Sequence, residues 1–199
     1  LKNLAIGALL VFITLALFLE IKLAFWVMLG IPISFLGALA LINTPHIDSS
    51  LNMISIFGFI LVLGIVVDDA IIMGESAYSE TERKGHSIDN VIEGIYRVST
   101  PATFGVLTTI VAFTPTLFVQ GVFAPMAAAA GWVVILCLVF SLVESKWILP
   151  AHLAHSKPTN NRILLRVDRI QERINRRLRS FVEGPYRRLV SRCVRNRYV

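Results

Sequence analysis

Two carboxylates stand side by side in a stretch that is otherwise too apolar for water. The stretch, at positions 51–75, reads LNMISIFGFILVLGIVVDDAIIMGE. No residue from Met53 to Val67 carries a charge; Asp68 and Asp69 then arrive together, and Ala70 to Met73 resume the apolar run. At a rise of about 1.5 Å per residue, about 20 helical residues cross the roughly 30 Å hydrocarbon core of a bilayer. This run is long enough to do so, which puts the acidic pair inside the membrane, towards the end of the span. An aspartate at that depth costs about 2.5–3.5 kcal/mol on insertion scales, so it faces a bundle interior or a water-filled path rather than lipid. The rest of the chain reads as scaffold around that pair.

Composition agrees. Of 199 residues, 55% are hydrophobic and 16% charged, against about 25% charged in soluble domains. The expected fold is all-α, a polytopic membrane helix bundle. Residues 1–150 form the bundle, with spans at about 1–19, 23–42, 51–74, 99–119 and 124–148. Ile88, Val91, Ile92, Ile95 and Val98 fall at helical spacing and predict an interfacial helix at about 87–98. The first residue is Leu, so the chain is expected to be part of a longer reading frame, with the first span continuing upstream. Cys137 lies in an apolar run and Cys193 far from it, which suggests neither a disulfide framework nor a metal site.

Small residues and prolines mark where helices meet or bend. Gly30, Pro32 and Gly37 lie in the second span, and Gly58, Gly64 and Gly74 in the third; these are candidate packing or hinge positions. The Asp-Ser-Ser run at 48–50 fits a helix cap. Pro101 fits a first helical turn, Pro115 predicts a kink near the far end of the fourth span, and Pro150 is expected to end the fifth. Thr108 and Thr109 place hydroxyls in the bilayer, and Glu144 is a second acidic residue at or near membrane depth; all three are candidate supporting polar groups. His152 and His155, at a helix exit, read as interfacial rather than as metal ligands.

Charge is sharply divided. Residues 1–150 hold six Lys/Arg and ten Asp/Glu, a balance of −4; residues 151–199 hold thirteen and three, a balance of +10. In 151–199 an apolar stripe of Ile163, Val167, Ile170, Ile174 and Leu178 alternates with Arg162, Arg166, Arg169, Arg173, Arg176 and Arg177. That pattern predicts a basic amphipathic helix on an anionic lipid surface, stopped at Pro185, and not a nucleic-acid arm. Lys22, the 75–98 loop and the 151–199 tail hold the basic residues of alternate connections, whereas 43–50 and 120–123 have none. The positive-inside rule therefore makes the 75–98 loop and the tail cytoplasmic.

Several motifs in order resemble one family. GIVVDDAI at 64–71 looks like the fourth transmembrane helix of resistance-nodulation-division (RND) efflux pumps of the hydrophobe/amphiphile branch. GIPISFLGA at 30–38 resembles the third helix, TPATFGVLTTIVAFTPTLFVQG at 100–121 the fifth, and SLVESKWILPAHLAH at 141–155 the end of the sixth. The resemblance implies a fragment covering helices two to six plus the following cytoplasmic helix. It further implies a multi-pass antiporter of the bacterial inner membrane, with protons as coupling ion, no other cofactor, and Asp68 and Asp69 as proton-relay carboxylates. Implied partners are the other half and periplasmic domains of the same transporter, a homotrimer, a periplasmic adaptor, an outer-membrane channel, and hydrophobic or amphiphilic substrates. The family's relay also uses a lysine from the second half; Lys146, at the end of the fifth span, does not correspond to it.

Two other readings use the same residues. An inactive or purely structural membrane fragment or remnant would keep the pair for assembly. An intramembrane aspartyl protease needs carboxylates facing each other across a water, normally from two helices, whereas these are consecutive on one helix, about 100° apart.

Overall fold

The computed structural model describes residues 2–42, 44, 47, 52–155, 171, 173, 174, 176–178 and 180–196. All regular structure among them is helical: α1 (Lys2–Phe18), α2 (Ile21–Ile42), α3 (Met53–Lys84), α4 (Ile88–Phe113), α5 (Ala124–Val143), α6 (Leu149–His155) and a C-terminal helix (Arg187–Arg195). Four continuous helical stretches are long and apolar enough to cross a membrane: Ile21–Ile42, Met53–Lys84, Ile88–Phe118 and Ala124–His155. At 17 residues α1 is shorter than these, about 26 Å at helical rise.

α3 is the centre of the bundle, packed on α2, α4 and α5. Its start is set by Asn52, whose side chain accepts hydrogen bonds from the amides of Ile54 and Ser55, both 2.9 Å. The cap is therefore Asn52 and not the 48–50 run, which lies outside the described residues. α3 ends at Gly85, where φ is +95°, a left-handed conformation that glycine adopts without a Cβ clash. At 32 residues α3 is about 48 Å long. It outruns the hydrocarbon core, so its last ten residues, five of them charged, project beyond it.

Bare glycine surfaces set the helix spacing. A Cβ on Gly37 would lie 2.5 Å from the Phe140 ring, and one on Gly58 would lie 3.3 Å from Val133. Gly74 lies against Leu23. α3 and α4 come into backbone contact at Gly94, where a Cβ would meet the Ser76 carbonyl at 2.6 Å and Ala77 Cα at 2.7 Å. Ser76 Oγ donates to the Gly94 carbonyl there, at 2.6 Å. Gly64 has nothing within 4 Å of a would-be Cβ.

The prolines depart from expectation in instructive ways. Pro101 lies thirteen residues inside α4, not in a first turn, because the amphipathic segment before it is already helical from the Ser87 cap and packed on α3. Residues 88–113 are thus one helix rather than an interfacial helix followed by a separate span. At Pro115 α4 tightens into a 3₁₀ turn, Thr114–Phe118, since proline has no amide to continue the α-helical ladder. Pro150 does not end the last span. A π turn at Glu144–Ile148 precedes it, which places Pro150 in the first turn of α6, where the missing amide is tolerated. Pro185 likewise lies in a π turn, Val182–Tyr186, and the helix resumes at Arg187–Arg195.

Candidate functional site

Asp68 and Asp69 sit on α3 with buried residues on one side of them and open surface on the other. Val66, Val67, Ala70 and Met73 are all buried in the core. Phe57, Ile60, Leu61, Gly64, Asp68 and Ile72 form an exposed stripe along the opposite face. Asp68 therefore points out of this bundle on an otherwise apolar surface. Asp69 is half-buried, and its Oδ2 is covered without a hydrogen-bond partner. Among the described residues no ion pair reaches either carboxyl. A buried polar atom without a partner is uncommon and calls for an explanation, such as water, an ion or an absent element. Among the described residues no cluster of three or more metal-ligating side chains occurs.

The other candidate residues are placed elsewhere. Thr108 and Thr109 both donate to the Gly105 carbonyl of their own helix, at 2.7 and 3.0 Å, so their hydroxyls are occupied within α4. Glu144 is buried between α2 and α5 against Gly30, at the start of the π turn. Pro32 and Pro115 are exposed. Of the tail arginines, Arg173, Arg176 and Arg177 are exposed, while Arg162, Arg166 and Arg169 lie outside the described residues, as do Ile163, Val167 and Ile170 of the apolar stripe. Gln171, not singled out from the sequence, is buried and donates to the carbonyls of Ala16 and Leu19 at 2.7 and 2.6 Å, satisfying the open end of α1.

Sequence reasoning also missed Glu80. It is 2% exposed and surrounded by cations: Arg83 at 2.6 Å, Lys84 at 2.8 Å and Arg97 of α4 at 3.2 Å. Lys84 also reaches Glu93 at 2.7 Å, tying the two helices together. Hydrogen bonds from Lys84 and Arg83 hold the Glu80 carboxyl down at about 2. The spacing of Glu80 to Arg83 and Lys84 was a visible signal; Arg97 comes only from the fold. Next to this corner His86 contacts the Leu153 carbonyl, and Trp26 stacks on His152 with ring centres 3.9 Å apart. His152 thus packs on an aromatic ring at the helix exit.

This arrangement, four helices long and apolar enough to cross a membrane packed in one bundle around α3, defines a polytopic membrane protein. The family model for the AcrB/AcrD/AcrF family matches residues 1–199. "Swarming motility protein SwrC" of Bacillus subtilis (strain 168) is 29% identical over 154 residues, which is 75% of this chain and 14% of that protein. The chain belongs to the AcrB/AcrD/AcrF family, within the RND efflux transporter superfamily. It spans about 14% of the length of the curated relative it matches.

Proposed function

We propose that this chain is the helix two-to-six portion of a proton-driven efflux antiporter, with Asp68 and Asp69 as its proton-relay carboxylates. The observation that carries this reading is the state of the pair: Asp68 on an exposed apolar stripe, and Asp69 with a covered oxygen that has no partner. Among the described residues nothing supplies a partner to either carboxyl. A cation from the transporter's other half, docked on the stripe, would favour the ionised pair. Its withdrawal would leave two adjacent carboxylates in a poorly hydrated place, which disfavours double ionisation. The two then titrate as one coupled unit, and the loss of charge lets the helices repack against each other.

In this reading α1 is the fifth membrane-crossing helix, and the 75–98 loop and the 151–199 tail face the cytoplasm. Together they hold all fourteen of the chain's arginines, as the positive-inside rule requires. The tail arginines lie against anionic lipid. The complete protein is a trimer in the bacterial inner membrane, coupled to a periplasmic adaptor and an outer-membrane channel, and exports hydrophobic or amphiphilic compounds. Asparagine at position 68 or 69 keeps size and hydrogen bonding but cannot carry the proton. In proteoliposomes, the complete transporter with Asp68→Asn or Asp69→Asn should bind substrate yet fail to export it under an imposed proton gradient. Near-normal gradient-driven export by both variants would remove the pair from the mechanism.

A further inference from the structure

A second polar site is buried between α2 and α5, and nothing in the proposed relay uses it. Glu144 is 3% exposed, and among the described residues no ion pair involves it. Its carboxyl occupies the space that a side chain at position 30 would fill: a Cβ on Gly30 would lie 2.5 Å from Glu144 Cδ. The helices run antiparallel here, with Gly30 opposite Glu144 and Gly37 opposite Phe140. Ser34 lies one turn from Gly30 on α2, and Ser141 lies one turn before Glu144 on α5. This register sets the two serines at the same level of one interface.

Both hydroxyls are fully buried and have no hydrogen-bond partner. That separates them from several threonine hydroxyls elsewhere in the bundle. Thr14, Thr103, Thr109 and Thr114 all donate back to the carbonyl four residues earlier, at 2.6–3.0 Å. This internal bond is the usual refuge of a hydroxyl in a buried helix. Ser34 and Ser141 make no such bond, and both are buried on helices that pack against each other beside the carboxyl. The helix also widens into its π turn at Glu144 itself; single π turns inside α-helices recur at functional sites.

We propose that Glu144, Ser34 and Ser141 form a buried proton-binding site between α2 and α5, separate from the aspartate pair, with water as the missing partner of the hydroxyls. The chemistry is complementary. A protonated carboxyl donates one hydrogen bond and accepts others, and each serine donates one and accepts two, so a bridging water finds the two to four partners it needs. Deprotonation releases the proton to bulk solvent by way of that water and leaves the carboxylate accepting from both hydroxyls. Among the described residues no ion pair neutralises it. α2 carries only Lys22 as a titratable residue, in its first turn about two turns from Gly30. The membrane part of α3 carries only Asp68 and Asp69, and α5 carries Cys137. α6, packed on α2 and the π turn, carries His152, stacked on Trp26, and His155. α4 carries none beyond Arg97, and Lys146, on the same π turn, is half-buried and outside any ion pair among the described residues. The site is built from α2, α5 and the π turn that follows it, and does not depend on the role assigned to α3.

Infrared difference spectra of the complete transporter in lipid nanodiscs, recorded as pH is raised, test this. The Asp68→Asn/Asp69→Asn protein is the reference, so that the pair is silent. It should still show a protonated-carboxyl band that titrates, and Glu144→Gln should remove it. Ser34→Ala/Ser141→Ala should keep the band but shift it to higher frequency, as hydrogen bonds to the acid are lost. This second variant leaves the carboxyl in place, so it decides the matter even if Glu144→Gln does not fold. Superimposable spectra with and without Glu144, or a band indifferent to loss of both serines, would overturn the proposal. Gradient-driven export by the aspartate variants bears on the relay alone, so the two ideas fail separately.

Discussion

Glu80 and the Asp68–Asp69 pair lie on the same helix, about 16 Å apart along its axis, and have opposite surroundings. Glu80 is buried beneath three cations, two from its own helix and one from α4. The pair has none among the described residues, although Asp69 is partly covered. The first arrangement is complete within this part of the protein and holds α3 to α4. The second is incomplete, its exposed stripe and unpartnered oxygen looking outward for a complement. A satisfied carboxylate fixes structure; an unsatisfied one is what the proposed proton relay requires.

The largest effect should come where backbones touch beside the satisfied corner. Gly94→Ala puts a methyl group against the Ser76 carbonyl and Ala77 Cα, neither of which can rotate away. Overpacking of this kind costs about 1–3 kcal/mol. A lowered midpoint in a denaturation titration of the purified protein would show it, together with exposure of the α3–α4 corner to protease. An unchanged midpoint would mean that the two helices do not meet as described.

Next comes the acid dependence of that corner. The folded Glu80 carboxyl lies at about 2, below the ordinary glutamate value of 4.5. Its contribution to stability is therefore complete above about 4.5 and fades as pH falls towards 2. Melting curves of wild type and Glu80→Gln should differ most near neutrality and converge at the acid end. Parallel curves over that range would assign the effect to packing instead of charge. The Asp68→Asn and Asp69→Asn proteins, in contrast, should melt close to wild type near neutrality, because neither residue has an ion-pair partner among the described residues to lose.

The smallest effect is expected at Gly64, one turn before Asp68. Nothing lies within 4 Å of a Cβ there, and alanine favours a helix over glycine by about 1 kcal/mol. Gly64→Ala should leave the isolated chain as stable as before or slightly more so. In the complete transporter the same change should lower export if another helix seats on the stripe, and activity measured beside stability separates these outcomes.

Much of this organisation is legible in the sequence because bilayer thickness sets a length scale that apolar runs must meet. The long helices and the position of the acidic pair follow from that alone. Helix ends are harder to read. Pro101 and Pro150 look like boundaries, yet the helical path runs through both, one because a packed segment precedes it, the other because a π turn resets the ladder. Glu80 is invisible as a buried residue because its cover includes Arg97, brought in by the α3–α4 packing at Gly94. Ser34 and Ser141 look like ordinary small helix residues, and only the absence of a bond to their own helix distinguishes them.

The contrast between the two carboxylate regions is tested most directly by following protons rather than substrate. A pH-sensitive dye sealed inside proteoliposomes that hold the complete transporter reports substrate-dependent proton movement. Wild type should give a clear signal and Asp68→Asn or Asp69→Asn none, with substrate binding retained in all three. A wild-type signal from both variants would contradict this.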